Sequence, residues 1–320
     1  MTPSPPQQSA ADRVERRRPA LLVAGHGTRD GAGVEEYLAL AERVRARNPG
    51  LAVGCGFLEL SPPPLSSAIA DLVAAGHDDI VVVPLVLFDA GHAKTDVPAS
   101  VNLARAAHPG VRFRYGRGLG VDPGLLAACE ERLDGVVDPA ARADVGVLVV
   151  GRGSSDPDAN AELTKVARLL WEGRGFGLVE PAFVGITDPR VPEGLERLRR
   201  LGADRIVVLP YFLFTGVLER RIRQQAQAFT DATGLRVETA GYLGPDDRVA
   251  DLVTARYEET LSGPVTRGCD LCVHRTPLPG FEQKVGAPLT PHHHPDDPAT
   301  HGHGASHAHS HDRAQAHARG

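Results

Sequence analysis

Three side chains with metal-ligand chemistry recur at comparable places in the first third of the chain. They are His26 in LLVAGHGTRD, Glu59 in GFLELSPPPL and His92 in PLVLFDAGHAKTDVP. Each follows an apolar run, and His26 sits between Gly25 and Gly27, which let the backbone turn and leave the imidazole room to enter a cleft. Two imidazoles and a carboxylate converging on one cleft suit a borderline divalent ion such as cobalt, nickel, zinc or iron. They can also exchange protons near neutral pH. A capped loop residue accounts equally well for any one of these histidines taken singly. Three in succession at strand ends point to a site.

The elements that would position them alternate in type. Apolar runs at Ala20–Gly25, Leu51–Leu58, Ile80–Phe88 and Val111–Tyr115 predict strands. Helical spacing is found over Gly33–Asn48, from Ser61-Pro62 to Gly76, over Asp96–Ala107 and over Pro123–Leu133. Such alternation predicts a parallel sheet covered on both faces. Ligands of an open α/β sheet bind beyond the carboxyl ends of its strands, where His26, Glu59 and His92 would lie side by side.

The pattern is then written a second time. An offset of 126 residues holds without a gap from residue 20 to residue 92 and becomes 124 by Gly120, which pairs with Gly244. Gly25, Gly27 and Asp30 match Gly151, Gly153 and Asp156, but His26 is matched by Arg152, Glu59 by Gly185 and His92 by Leu218. A fixed offset of this length predicts two similar lobes rather than a solenoid. The expected fold is therefore α/β, with two tandem doubly wound parallel-sheet lobes around a central cleft. Residues 1–18 read as a disordered leader, 19–136 as the first lobe, 145–262 as its degenerate repeat, 263–290 as an extension and 291–320 as a disordered tail. The second lobe is richer in cations. Lys94, Thr95 and Val97 are matched by Arg220, Arg221 and Arg223. Arg29, Lys94, Arg152 and Arg220 are the candidates to meet carboxylates across the cleft. A solvated helix face is the plain alternative for each.

Composition narrows the function. A chain of 320 residues with net charge −5 gives no reason to expect nucleic acid or an anionic membrane as partner. No stretch is apolar for the roughly 18–20 residues that span a bilayer, and the first residues lack the apolar core of a secretory signal. Four cysteines do not make a disulfide framework, which predicts the reducing cytoplasm. Cys55 and Cys129 read as small buried apolar residues. Cys269-x-x-Cys272 supplies two thiolates, too few for a closed zinc or iron–sulfur site unless His274 or a second chain completes it. A pair of reduced thiols is the alternative. No G-x-x-x-x-G-K occurs, so ATP is not expected. A phosphohistidine transferase would need an arginine where Gly25 stands, and a dinucleotide fold would need a third glycine. The sequence does not determine an oligomeric state.

Taken together, GHGTRDG, the strand-end Glu59 and the PLVLFDAGHAKTDVP stretch resemble the CbiX-type sirohydrochlorin chelatases in their long two-repeat form. The CDLCVHRTPLPGFEQKVGAP segment resembles a C-terminal extension of some long forms. The resemblance implies the class II chelatase fold. It also implies ATP-independent insertion of a divalent metal into a tetrapyrrole, in cobalamin or sirohaem synthesis. Its metal-handling residues fall on His26, His92 and Glu59, giving one active site per chain, with sirohydrochlorin and the metal as substrates. Nine of the 14 histidines lie in the tail, which favours Co²⁺ over Fe²⁺ or Ni²⁺ and suggests metal delivery to the lobes. A ferrochelatase and a non-catalytic metal or tetrapyrrole carrier are the alternatives.

Overall fold

The computed structural model describes residues 17–263, 277 and 279–285. The first lobe runs β1 (Ala20–Gly25), α1 (Gly31–Arg47), β2 (Val53–Phe57), α2 (Leu65–Ala74), β3 (Asp79–Pro84), the short turn α3 (Gly91–Lys94), α4 (Asp96–Ala107), β4 (Arg112–Tyr115) and α5 (Pro123–Asp134). A 3-10 helix over Pro139–Asp144 links it to β5 (Gly146–Gly151), α6 (Pro157–Trp171), β6 (Leu178–Phe183), α7 (Val191–Arg200), β7 (Arg205–Pro210), α8 (Val217–Thr233), β8 (Arg236–Thr239) and α9 (Asp247–Ser262). Among the described residues there are two parallel four-stranded sheets, ordered β2-β1-β3-β4 and β6-β5-β7-β8.

Most element ends shift by one or two residues from the sequence reading, and three larger differences bear on the cleft. β3 ends at Pro84, which has no N–H for the ladder, and Leu85–Phe88 leave the sheet to line the cleft. α2 begins at Leu65 rather than at Ser61-Pro62. Each residue preceding a proline is pushed out of the helical region, so Pro62 and Pro63 are disfavoured as helix, and Pro64 is extended. His92 lies in the helical turn Gly91–Lys94 rather than in an open loop.

Side-chain alternation sorts each sheet into two faces. Leu22, Ala24, Ile80 and Val82 pack with α2 and α4 on the outside of the first lobe, and Leu148, Val150, Ile206 and Val208 pack with α7 and α8 on the outside of the second. Leu21, Val23, Val81 and Val83 face the other way. They share one continuous core with Val147, Val149, Val207, Leu209 and the apolar faces of α1, α5, α6 and α9. The lobes are therefore not closed separately. The last helix of each covers the other: α5 packs against α6 and β7, and α9 packs against α1 and β3.

Matched arginines secure this exchange. Arg132 on α5 donates to the carbonyls of Tyr242 and Leu243 and to Asp246, each at 3.0 Å. Arg256 on α9, 124 positions later, is buried and donates to the carbonyls of Gly118 and Leu119 and to Asp122. A second matched pair crosses nearer the cleft. Lys94 Nζ donates to Asp156 at 2.7 Å and Asp158 at 3.1 Å, and Arg220 pairs with Asp30. Asp30 and Asp156 are the N-caps of α1 and α6. Each lobe thus holds the first helix of the other by its capping carboxylate.

Burial works to lower the Lys94 ammonium, but the hydrogen bond and charge of Asp156, joined by Asp158, outweigh it and leave it above the ordinary lysine value. Lys94 is 13% exposed and Arg220 51% exposed. Lys94→Ala leaves the buried Asp156 without its cation, and we expect a loss of about 3 kcal/mol. Arg220→Ala should cost about 1 kcal/mol or less, because its pair is solvated. Urea denaturation of the two variants measures the difference; equal losses would show that burial does not separate the pairs.

The Arg248 hydrogen bond, with Arg132 adding its charge, holds the Asp246 carboxyl down at about 2. A depressed carboxylate contributes stability above its unfolded value of about 3.9, and that contribution is lost as pH falls toward its folded value. Stability should therefore drop between about pH 4 and pH 2, and Asp246→Asn should flatten that limb of the profile. A wild-type and a variant profile of equal slope there would exclude Asp246 as a source of acid lability.

Candidate active site

The site begins as an overrun of the β1–β2 ladder. The paired strands end at Gly25 and Phe57, but Leu58 N–H donates to Gly25 O at 2.9 Å and Glu59 N–H donates to His26 O at 3.1 Å. This carries Glu59 to the side of His26. Ser61 locks the two loops by accepting from Thr28 N–H and donating to Thr28 O. Tyr37 from α1 lies beneath, its buried hydroxyl donating to Val23 O and accepting from Gly56 N–H. It thereby joins β1 to β2 just below their ends. Gly27 has φ of +105°, and a Cβ there would stand 1.8 Å from Glu59 O, so no other residue fits this crossing.

His26 Nε2 lies 3.5 Å from Glu59 Oε1, and Nδ1 lies 3.2 Å from Gly27 O. Nδ1 thus faces a carbonyl acceptor, while Nε2 faces the carboxylate. A proton on Nε2 or a bound cation can hold an imidazole and a carboxylate at that separation. The spacing suits two bonds of about 2.1 Å to one ion at an angle near tetrahedral. Glu59 is 45% exposed, so an ion can reach the pair from solvent. Among the described side chains, no group of three or more His, Cys, Asp or Glu gathers for a metal. The backbone of His92 lies between Gly91 and Ala93, both of which line the same cleft.

The cleft has a volume of about 940 Å³ and takes walls from both lobes. His26, Arg29 and Phe88 come from the first lobe, and Arg152, Ile186 and Arg220 from the second. Ile186 is 53% exposed within it, an apolar surface available to a flat apolar ligand. The cationic residues separate into two groups. Arg29 and Arg152 line the cleft; Arg220 lines it while also pairing with Asp30; Lys94 is held between Asp156 and Asp158. The scaffold recurs in the second lobe without ligands. Val184 N–H donates to Gly151 O and Gly185 N–H to Arg152 O at the same distances as in the first lobe, bringing together an arginine and a glycine.

Cys269, Cys272, His274 and the histidine-rich tail lie outside the described residues, as does the leader to residue 16. Cys129 is buried as expected, while Cys55 is half-buried and accepts from Arg45. The sequence reading missed Tyr37, although its match in the repeat is Leu163, a change from apolar to hydroxyl at a core position. It also missed Gln283 and Lys284, which line the cleft from beyond the second lobe. No helix among the described residues is long and apolar enough to cross a membrane.

Two parallel-sheet lobes that exchange their last helices and enclose a cleft, with His26 on one wall and the Glu59 carboxylate beside it, define a tandem-repeat α/β protein. The family model described as CbiX matches residues 20–136 and again 146–260. A sirohydrochlorin cobaltochelatase of Priestia megaterium is 38% identical over 262 residues, covering 80% of this chain and 84% of the relative. A sirohydrochlorin ferrochelatase of the same organism is 34% identical, covering 76% and 91%. The solved structure of SirB from Bacillus subtilis with Fe³⁺ superimposes with a TM-score of 0.68 at 31% identity, covering 77% of this chain and 96% of that one. This chain belongs to the CbiX family.

Gly27 and Gly153 make the same crossing in the two lobes, and a Cβ at Gly153 would stand 2.0 Å from Gly185 O. Gly27→Ala and Gly153→Ala should each destabilise by about 2–4 kcal/mol. Only Gly27→Ala should also weaken Co²⁺ binding, measured by titration calorimetry well below the melting temperature. Equal loss of binding in both would detach the metal site from the His26 loop.

Proposed function

We propose that this protein inserts Co²⁺ into sirohydrochlorin without ATP, with His26, Glu59 and His92 handling the metal. The His26–Glu59 juxtaposition carries this reading, because the same backbone in the second lobe has lost both ligands. The cobaltochelatase relative supports it, and the ferrochelatase relatives name the competing metal. Metal insertion displaces two protons from the ring nitrogens. A neutral imidazole can bind the ion and release it, and Glu59 can accept a proton and return it to the solvent that reaches it. Arg29 and Arg152, with Arg220 at the wall, meet the substrate's carboxylates; Lys94 serves the junction between lobes. Ile186 offers an apolar surface to the macrocycle. Cys269, Cys272 and His274 have no part in this scheme. The proposed compartment is the reducing cytoplasm, with Cys55 and Cys129 as free thiols.

The absorbance of free sirohydrochlorin, followed with Co²⁺, Fe²⁺ or Ni²⁺ in turn, tests the reading. We expect many turnovers with Co²⁺. A change that stops at one equivalent of protein would make the chain a carrier, and preference for Fe²⁺ would make it a ferrochelatase. His26→Ala and His92→Ala should abolish turnover, each with a stability change of about 1 kcal/mol or less. Arg152→Ala should raise KM for the tetrapyrrole and spare kcat, since a guanidinium is neither base nor ligand. Wild-type turnover in either histidine variant would refute the assignment.

A further inference from the structure

The extension beyond α9 returns to the cleft. Residues 279–285 hold a short 3-10 turn, Glu282–Lys284, from which Gln283 and Lys284 line the cleft wall. Lys284 Nζ donates to Ser155 O at 2.9 Å and lies 5.2 Å from the centroid of the Phe281 ring, a cation–π contact. The Glu282 carboxylate accepts from Gly280 N–H within the turn.

The position of this contact is informative. Ser155 is the repeat counterpart of Arg29, the cation that lines the first-lobe wall next to His26. The duplicated loop thus has arginine in the first lobe and serine in the second. It is at that serine that Lys284 enters from outside both repeats. The extension brings a cation to the one position of this loop where the repeat has serine in place of Arg29. An ammonium has three donors and Ser155 O takes one, so two remain for a ligand in the cleft. A single hydrogen bond and a cation–ring contact are weak tethers, so the segment can yield to an entering ligand and settle on it.

We infer that Lys284 is a substrate-positioning residue: it binds a peripheral carboxylate of the tetrapyrrole from the second-lobe side, opposite the metal ligands, as the counterpart of Arg29. This rests on the proposed activity for the identity of the substrate. The geometry requires only an anionic, polycarboxylate ligand in the cleft. A lysine there, seated on the second lobe and not on the His26 loop, adds attraction for the macrocycle without being placed on the metal pair.

Full-length Lys284→Ala, Lys284→Glu and Lys284→Arg proteins test this. Two readouts are needed: steady-state constants for sirohydrochlorin and for Co²⁺, and equilibrium binding of metal-free sirohydrochlorin followed by its own fluorescence. Lys284→Ala should raise KM and Kd for the tetrapyrrole about fivefold, the effect of one partly solvated ion pair. Lys284→Glu should raise them further, Lys284→Arg should restore them, and kcat and the KM for Co²⁺ should stay at wild-type values. Unchanged tetrapyrrole binding in Lys284→Glu, or an equal shift in the KM for Co²⁺, would overturn the inference. Wild-type protein that binds the tetrapyrrole in a Lys284-dependent way yet never turns over would uphold the inference and refute the proposed activity. Normal turnover with no Lys284 effect would do the reverse.

Discussion

The molecule depends on the exchange of its last helices. Arg132 and Arg256 cross from one lobe to the other and end on backbone carbonyls of the opposite loop. Arg256 is buried and Arg132 half-buried; taking a guanidinium from water is costly unless its donors are met, and here carbonyls and Asp246 or Asp122 meet them. The carbonyls cannot be moved without moving the loops that lead into α5 and α9. Each lobe is consequently closed by a helix that the other lobe supplies, and the central core has no boundary between them. Two units with complete cores of their own would be free to move about a linker. Here the cleft walls are held in one relation, as a site built from both lobes requires.

That rigidity accounts for the specialisation of the repeats. The overrun of the β1–β2 ladder brings residues 26 and 59 together through main-chain hydrogen bonds, and the same bonds bring residues 152 and 185 together. Because the scaffold is main chain, its side chains can change without loss of the fold. The first lobe carries the imidazole–carboxylate pair, while the second carries Arg152 and the exposed Ile186. A symmetric site would place metal ligands on both walls and leave less apolar and cationic surface for a macrocycle with acidic edges.

Cations in the cleft region serve two different ends. Lys94 and Arg220 are matched by the repeat, and both reach across to the capping carboxylate of the opposite lobe. Arg29 and Arg152 lie on the wall itself. For Lys94 and Arg220 a carboxylate of the opposite lobe stands across the gap at hydrogen-bond distance. A sequence does not carry that information, because the partners lie 62 residues away for Lys94 and 190 for Arg220.

Local physics was legible in the chain. Apolar runs, glycines and helical spacing placed the strands and helices to within a few residues, because those signals act between neighbours. The 126-residue offset marked the duplication, and the absence of counterparts to His26, Glu59 and His92 in the repeat marked the two lobes as unequal. Pairs distant in sequence were decided by the tertiary structure. Which lobe α5 and α9 cover follows from the closure of one shared core, a global packing outcome. Lys94 became a strut because Asp156 is buried opposite it. Tyr37 was hidden because its hydroxyl serves two strands that meet only when folded. Lys284 came to Ser155 from 129 residues away, a contact that no local pattern encodes, since it exists only once both lobes have formed the wall on which it rests.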